Sequence, residues 1–213
     1  MFNYNIYRDL QPTNYILVTD SASEPVTRDE AKDYLHITST DDDDLIDDLI
    51  KAARMYGEKY TGRDFINKTW KTYLDKFPSD CTEVVIAKSK LQSISSIQYY
   101  LDDSLTSVSS SVYYITDESE YSSLLVKSGQ SWPSNEDDRK QAVIITFISG
   151  YGANPTDVPE GIKVAMLAHI ANMYENRGDC IDCDGAFKDS KAASLYSPYR
   201  ISKVMFEAIG GLS

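Results

Sequence analysis

Two cysteines, Cys180 and Cys183, have the spacing of a metal-binding pair, and three aspartates lie beside them. A structural zinc site needs four ligands, and no second pair of this kind occurs in the sequence. The other candidate ligands are far apart along the chain: Cys81, His36 and His169. The aspartates, Asp179, Asp182 and Asp184, lack the register and the closing glutamate of an EF-hand calcium loop. We therefore expect two reduced cysteines in a loop rather than a metal site.

A run of four aspartates, Asp41–Asp44, has the charge of a magnesium site for phosphoryl chemistry. Consecutive residues of a helix point in different directions, so these carboxylates do not converge on one ion. Anionic residues in the first turn stabilise a helix through its dipole, by about 0.3–1 kcal/mol each. The aspartates are therefore predicted to begin a helix.

Nucleophilic catalysis has no local support in the sequence, which contains two histidines and no G-x-S-x-G motif. The glycines of Ser149-Gly150-Tyr151-Gly152 lack the spacing of a nucleotide-binding loop, and no G-K-[ST] follows them. His169 lies in an apolar stretch and is expected to be a histidine of the core. We predict no catalytic, cofactor-binding or metal-binding residue, and a protein that is not an enzyme.

The composition is that of an acidic globular protein. The chain has 213 residues, of which 42% are apolar and 25% charged, which suits one domain or a domain with an insertion. The net charge of −12 repels DNA phosphates, so strong DNA binding is not expected. The 16 tyrosines are typical either of contact surfaces or of strands, and both explanations stay open. Three cysteines, no signal peptide and no apolar run of about 20 residues predict a soluble protein made in a reducing cytoplasm.

Two helices are predicted near the start of the chain. Thr27 and Glu30 form a capping box, so the first helix is expected over 27–35. Apolar residues at helical spacing predict a second, longer helix over about 41–61. Gly62 is a natural stop for this helix, because glycine readily adopts the left-handed conformation that ends helices.

A third helix is predicted to begin with Asp157 as its N-cap and Glu160 at N3, and to end at Gly178. Apolar residues on several of its faces indicate that it is buried. A polar loop over 178–190 and a short helix near 190–197 are expected to follow.

Between the second and third helices the sequence changes to a strand pattern. Segments rich in Val, Ile, Tyr, Phe, Trp and Thr alternate with turn clusters, which is typical of an antiparallel β unit. The six segments are 68–77, 83–88, 94–101, 111–117, 123–127 and 141–149. An extended arm with one short strand at Tyr15–Val18 is expected before the first helix.

These elements predict an α+β protein in which an antiparallel β unit is inserted into a small α-helical bundle. The bundle consists of two N-terminal helices, one long buried helix and one short C-terminal helix. The predicted divisions are an N-terminal arm (1–24), a helical core (25–66 and 155–200), an inserted β domain (67–154) and a C-terminal tail (201–213).

The order of the motifs resembles the head–tail connector (adaptor or head-completion) family of tailed bacteriophages. The resemblance covers about residues 15–200 and rests on order and spacing, because each motif alone is common. The matching motifs are Pro25-Val26-Thr27-x-x-Glu30-Ala31-Lys32-x-x-Leu35, Asp42-Asp43-Asp44-Leu45-Ile46, Ile50-x-Ala52-Ala53-Arg54, Tyr60-Thr61-Gly62-Arg63 with Trp70, Phe147-x-x-Gly150-Tyr151-Gly152, Pro159-x-x-Ile162-Lys163, Tyr174-Glu175-Asn176-Arg177 and Ser197-Pro198-Tyr199-Arg200. Residues 1–14, the Cys180–Asp184 loop and the segment after Arg200 lie outside the pattern.

The resemblance implies a structural virion protein that is assembled in the host cytoplasm and located in the neck between head and tail. Its subunits would form a ring, usually of twelve, that docks on the portal, retains packaged DNA and forms part of the exit channel. The acidic charge agrees with DNA that passes without sequence-specific binding. The expected partners are the portal protein, a tail-side connector or tail protein, and further copies of the chain, with no cofactor and no membrane.

The C-terminal end is the candidate interface with the portal or with a neighbouring subunit. A ring requires two different faces of each subunit to meet, and apolar termini can supply part of such a contact. The candidate residues are Tyr199, Arg200, Val204, Met205, Phe206 and Ile209. Two other classes of protein stay open. A non-viral α+β interaction module would form no ring and bind no portal, and a hydrolase or metal enzyme using Asp and Cys residues would bind stoichiometric metal.

Overall fold

A computed structural model describes residues 14–78, 83–88, 90–117, 122–134, 139–176 and 191–201. The chain divides into two compact units. The helical unit comprises Ser21–Ile66 and Tyr151–Arg200, and the β unit comprises Met1–Asp20, Asn67–Gly150 and Ile201–Ser213. The chain therefore passes from one unit to the other four times. The predicted division into arm, helical core, β domain and tail remains a prediction.

The first two helices of the helical unit have ends that the local sequence explains. Helix α1 spans Arg28–Leu35. The Thr27 hydroxyl accepts a hydrogen bond from the Glu30 N–H (3.2 Å), and the Glu30 carboxylate accepts one from the Thr27 N–H (2.7 Å), which confirms the capping box. Helix α2 spans Asp43–Thr61 and ends at Gly62, whose φ of 74° is left-handed, as predicted.

Helix α3 spans Glu160–Glu175 and begins three residues later than its predicted N-cap. The prediction of Asp157 as N-cap is wrong, because this carboxylate accepts a hydrogen bond from the N–H of Asn154 (2.9 Å). That contact closes a separate 3-10 turn, Pro155–Asp157, and Pro159 then stands at the N-cap of α3. The Asp157 carboxylate therefore bonds within the 3-10 turn that precedes α3 and does not cap α3 itself.

The helical unit ends with a short helix, α4, over Lys191–Tyr196, and a 3-10 turn over Ser197–Tyr199. The predicted end of α3 at Gly178 and the predicted loop over 178–190 lie outside the described residues. The short helix agrees with the one expected near 190–197.

The core of the helical unit is formed where α1, α2 and α3 pack together, and α4 packs on α3. Its buried residues are Val26, Ala31, Ile46, Ile50, Ala53, Phe65, Ile66, Val158, Ile162, Ala165, Met166, Ile170, Ala192 and Tyr196. The rings of Phe65 and Tyr196 stack with centroids 6.2 Å apart. Gly57 leaves room for them, because a Cβ there would lie 2.8 Å from the Phe65 ring. Each large apolar side chain buried here contributes about 1.5–3 kcal/mol.

The β unit contains two antiparallel sheets. The larger has the strand order β1-β2-β8-β4-β5, and the smaller has the order β3-β7-β6. The strands are β1 Tyr15–Thr19, β2 Lys68–Leu74, β3 Val84–Ile86, β4 Leu91–Leu101, β5 Ser104–Ser107, β6 Tyr113–Asp117, β7 Ser122–Val126 and β8 Val143–Ser149. All six predicted segments form strands, and the α+β class is confirmed.

Strand β5 was missing from the sequence prediction, which treated the residues before it as a turn between separate strands. Asp102 and Asp103 both have positive φ, of 49° and 58°, which builds a two-residue hairpin loop. Leu101 and Ser104 then pair directly across β4 and β5. Aspartate tolerates this conformation less often than glycine, so the local signal for a hairpin was weak.

The β core lies on one face of the larger sheet, where β8 alternates buried and half-buried residues. Trp70 of β2 and Ile94 of β4 both pair with the buried Phe147 of β8. Phe77 stacks on Trp132 with ring centroids 5.0 Å apart. The buried residues are Leu74, Phe77, Val84, Ile86, Leu91, Ile97, Tyr99, Leu124, Val143, Ile145 and Phe147. None of the helices in the described ranges has the length and apolar character needed to cross a membrane.

Candidate functional site

The turn that ends the helical unit contains the two members of the predicted interface that the structure describes. Tyr199 is half-buried, and Arg200 is exposed. The other four predicted residues, Val204, Met205, Phe206 and Ile209, lie outside the described residues.

A buried arginine just after α2 contacts the C-terminal turn. Arg63 follows Gly62, the left-handed end of α2, and its N–H donates to the Thr61 hydroxyl (3.3 Å). Its side chain points to the C-terminal turn, where Nε donates a hydrogen bond to the carbonyl oxygen of Tyr199 (2.6 Å). Arg63 as a whole is 9% exposed, so this guanidinium is committed to internal contacts.

The Tyr199 ring lies against the first turn of α3. A Cβ at Gly161 would lie 2.3 Å from the Tyr199 hydroxyl, so only glycine leaves room for this ring position. The Arg200 guanidinium lies over the Tyr60 ring, 5.2 Å from its centroid, in a cation–π contact. Burial raises the pKa of the Tyr151 hydroxyl, and the nearby Arg63 charge lowers it in part. We call Tyr60, Arg63, Tyr151, Tyr199 and Arg200 the arginine–tyrosine cluster.

The members of this cluster occur in three separate sequence motifs, and only Tyr199 and Arg200 were predicted to have a role. The structure brings Tyr60 and Arg63 at the end of α2 together with Tyr151 and the C-terminal turn. The sequence signal was an arginine directly after a helix-ending glycine, which is common and does not identify a partner 136 positions away.

Ion pairs between α1 and α2 account for part of the acidic run. Asp43 accepts hydrogen bonds from Lys32 (2.7 Å) and Arg28 (3.2 Å), and Arg28 also pairs with Asp47. The hydrogen bond from Lys32 holds the pKa of Asp43 below its usual value, and that from Arg28 lowers the pKa of Asp47. These carboxylates therefore join two helices.

The rest of the run also points in different directions, as expected for consecutive helical residues. The Asp42 carboxylate accepts a hydrogen bond from the Tyr174 hydroxyl of α3. Within the described ranges no group of three His, Cys, Asp or Glu residues could hold a metal ion. Cys81, Cys180 and Cys183 lie outside those ranges.

A second ionic network surrounds a buried arginine of α2. Arg54 Nε pairs with Glu24 (2.7 Å), and Nη1 pairs with Glu58 (3.2 Å). Glu58 also accepts a hydrogen bond from the N–H of Phe65 (3.0 Å). The network therefore connects the segment before α1 to the segment that follows α2.

A cavity of about 320 Å³ opens beside these networks. Its lining residues are Ser23, Glu24, Val26, Thr27, Arg28, Asp47, Ile50, Lys51 and Pro155. Each charged residue of the lining takes part in an ion pair of the helical unit. The charged side chains that line the cavity are therefore already paired with other residues of the same chain.

The histidine predicted to belong to the core is buried in α3. His169 contacts Tyr56 edge to face, with ring centroids 5.2 Å apart. Burial lowers the pKa of His169 to about 4, so the ring is neutral at pH 7. The other histidine, His36, is exposed at the left-handed end of α1.

The edge of the larger sheet that β1 forms is a second candidate surface, and it was not predicted from the sequence. Ile16, Leu17 and Val18 of β1 are 45%, 42% and 49% exposed. The strand is held at its start, because Tyr15 OH accepts from the Ala87 N–H (2.9 Å) and Thr72 Oγ1 donates to the Asn14 carbonyl (2.8 Å). A charge-free edge strand is a template for pairing with another chain.

The model of the head completion protein family matches residues 25–177. The chain belongs to the head completion protein family. No curated protein matches the sequence. The match confirms the resemblance to phage connector proteins that the order of the sequence motifs predicted.

Solved structures with a similar fold come from gene transfer agent (GTA) particles. A chain in the neck of an empty GTA particle, computed with C6 symmetry, has a TM-score of 0.72 and 17% identity. A chain in the virion of a native GTA particle has a TM-score of 0.70 and 17% identity, and one in the native neck, computed with C12 symmetry, has 0.68 and 16%. In each case the similarity covers 89% of this chain and 96% of the other. At this identity the likeness shows a shared fold.

The family match does not cover either candidate surface of this head completion protein. It begins after β1 and ends before α4, so it includes neither the exposed strand edge nor the C-terminal turn. It does include Tyr60, Arg63 and Tyr151, the part of the arginine–tyrosine cluster on which the turn rests.

Proposed function

We propose that this head completion protein is a structural subunit of the neck of a tailed phage or phage-like particle, where a ring of copies connects head to tail. The observation that carries the proposal is the family match over 25–177. The fold shared with chains of GTA particle necks supports it. The role is architectural, and we propose no catalytic step.

The ring docks on the portal and contains twelve copies. Neck structures computed with C6 and C12 symmetry support an assembly of this kind. A closed ring requires a heterologous contact, in which one face of a subunit meets a different face of its neighbour. The C-terminal segment that begins with Tyr199 and Arg200 supplies the docking contact with the portal, through its apolar residues Val204, Met205, Phe206 and Ile209.

Packaged DNA passes through the ring and is retained by it without a sequence-specific contact. The net charge of −12 supports this part of the proposal, because an acidic wall repels phosphates and releases no counterions on approach. A tail-side connector or tail protein closes the other end of the channel.

The test is assembly with and without the portal protein of the same particle. Native mass spectrometry and electron microscopy of the mixture are expected to show a closed ring bound to the portal. A chain that stays monomeric and does not bind the portal at micromolar concentrations would contradict the proposal. Removal of residues 201–213 is expected to abolish docking, and unchanged docking would show that the tail is not the docking segment.

A further inference from the structure

The larger sheet of the β unit ends in two edge strands, β1 and β5, that have similar chemistry. Within the part of the chain that the structure describes, each pairs with one neighbour, β2 or β4. Neither strand contains a charged residue or a proline, which natural proteins often place on edges to prevent pairing with other chains. Both expose apolar side chains, and Ile16 and Leu105 are each 45% exposed. The sheet can therefore be extended at both ends.

The directions of the two edge strands suit a contact that repeats from one copy of the chain to the next. All four pairings within the sheet are antiparallel, so the directions alternate, and β1 and β5 run the same way. Neighbours in a large ring are related by a small rotation, which nearly preserves strand direction. The β5 strand of one copy would therefore meet β1 of the next as a parallel pair, and mixed sheets of this kind are common.

The side chains of the two edges also lie on matching faces of the sheet. Leu17 pairs with a tryptophan that packs on the β core, and Thr106 pairs with a tyrosine of that core. Because side chains alternate along a strand, Ile16 and Leu105 both lie on the opposite face. A parallel register with Ile16 beside Leu105 therefore also brings Leu17 beside Thr106, and both faces of the sheet continue into the next copy.

The charge distribution favours a second copy of the chain as the partner. The net charge is −12, so copies repel each other where acidic surfaces meet. The five strands of the larger sheet contain no aspartate or glutamate, and their charged residues are Lys68 and Lys71. Aspartates flank the edge strands, with Asp20 after β1 and Asp102 and Asp103 before β5. In a parallel junction these two groups lie at opposite ends.

We propose that copies of this chain join through their larger sheets, with β5 of one copy paired in parallel with β1 of the next. This inference rests on the proposed ring and names the heterologous contact that closes it. The pairing is short, because β5 has four residues and the register of β1 shifts between Leu17 and Thr19. One junction is therefore weak alone and is firm in a closed ring, where each subunit is held at both edges.

Disulfide trapping tests which edges meet. The natural cysteines, Cys81, Cys180 and Cys183, are first replaced by serine in the full-length chain. Neighbouring strands lie about 4.8 Å apart, which a disulfide can bridge. Under mild oxidation at about 1 mM protein, where a contact with a millimolar Kd is populated, a mixture of Ile16→Cys and Leu105→Cys chains is expected to give covalent dimers. Each variant alone is expected to give none, and a chain with both changes is expected to give a ladder of larger species.

Further cysteine pairs test the faces and the direction of the junction. Ile16→Cys mixed with Thr106→Cys is the matched control, because these positions are on opposite faces and should cross-link only at the background level. Leu17→Cys mixed with Thr106→Cys is expected to cross-link, whereas Leu17→Cys mixed with Ser104→Cys is not. The reverse result for the two Leu17 pairs would show an antiparallel junction and would overturn the proposed pairing.

Charged variants test the same junction without new cysteines. Ile16→Lys blocks the β1 edge and Leu105→Lys blocks the β5 edge, so each should weaken self-association about tenfold or more in sedimentation velocity. An equal mixture is expected to form dimers and no larger species, because one unblocked edge of each kind remains. Tyr34→Lys, whose tyrosine is 42% exposed on α1, is the matched control and should associate like the natural chain. Circular dichroism and tryptophan fluorescence check that each variant is folded.

The outcomes separate this inference from the proposed function when trapping is done with and without the portal protein. Ile16→Cys chains that cross-link with themselves, or Leu105→Lys chains that still dimerise, would show a symmetric β1 pair and overturn the inference. A portal-bound ring in which Ile16→Cys and Leu105→Cys do not cross-link would leave the proposed function standing and remove the inference. Specific cross-links in a chain that does not bind the portal would support the sheet junction and contradict the proposed docking.

Discussion

The helical unit and the β unit of this head completion protein are stabilised in different ways. The helical unit combines its apolar core with charges that are paired inside it, such as Arg54 between Glu24 and Glu58. The β unit depends on the register of its strands and on the packing of aromatic rings around Phe147 and Trp132. The difference predicts that removal of charge perturbs the first unit and removal of volume perturbs the second.

Their exposed apolar residues differ as well. Those described in the helical unit, Tyr34, Met55, Tyr56 and Val164, are spread over three helices. Those of β1 are three consecutive residues of an edge strand of the larger sheet. The β unit therefore presents an edge strand whose main-chain groups can pair with another strand.

The two units can be followed by separate signals. Both tryptophans of the sequence, Trp70 and Trp132, lie in the β unit, so intrinsic fluorescence reports its unfolding. The helices lie in the helical unit, so circular dichroism at the helical minimum reports mainly on that unit. Urea unfolding with both signals tests the comparison.

The largest effect is expected from Phe147→Ala, which empties the centre of the β core. The side chain is fully buried, with Trp70 and Ile94 beside it on the neighbouring strands, so its removal should cost about 3–5 kcal/mol. The fluorescence transition should move to much lower urea. The control is Ile148→Ala, a half-buried neighbour on the opposite face, which should cost about 1 kcal/mol or less. An equal shift of the dichroism transition would show that the units unfold as one, and the comparison would then fail.

Arg54→Met should have the next largest effect, this time on the helical unit. It leaves the nearly buried Glu58 carboxylate without its arginine, which should cost about 3 kcal/mol in the dichroism transition. Replacing Glu58 as well, by Gln, should restore part of the loss, because the uncompensated charge is then gone. If the double variant is no more stable than Arg54→Met alone, the charge is not the cause.

A smaller, pH-dependent effect is expected from His169. Its pKa is about 4 in the folded chain, against an ordinary value of 6.5, so the unfolded chain takes up the proton first as the pH falls. The stability from the neutral ring is therefore complete above pH 6.5 and should decrease by about 2 kcal/mol on acidification to about pH 4.5. His169→Gln should lack this part of the decrease, whereas a variant of the exposed His36, His36→Asn, should retain it. Identical pH profiles for the natural chain and His169→Gln would contradict the assignment.

Local chemistry explains which elements the sequence predicts well. The capping box of Thr27 and Glu30 and the glycine stop at Gly62 each involve residues within one turn, so short spacing was enough to place both ends. The predicted start of α3 was wrong because the Asp157 carboxylate could cap either α3 or the turn that follows Asn154. In the structure it accepts a hydrogen bond from the N–H of Asn154. The strand β5 was missed because its hairpin is built from aspartates in place of glycine.

The candidate site was predicted only in part, and for a physical reason. Tyr199 and Arg200 were assigned from the family resemblance, but the contacts that hold them come from Arg63 and Gly161, far away in the chain. No periodic pattern relates such positions, because their contact exists only once the helices have packed. The same holds for β1, whose apolar run indicates a strand but not which of its sides is covered.

The strand order of the larger sheet has a consequence for synthesis of the chain. Strand β2 leaves the ribosome early, but it pairs with β8, which is made about 70 residues later and therefore several seconds afterwards. During that interval β1 and β2 can form only a two-stranded pair, which is marginal in water. Until β8 has been synthesised, the larger sheet lacks its central strand and the nascent chain exposes apolar residues. The yield of the protein in cells should therefore depend on chaperones and on the rate of translation.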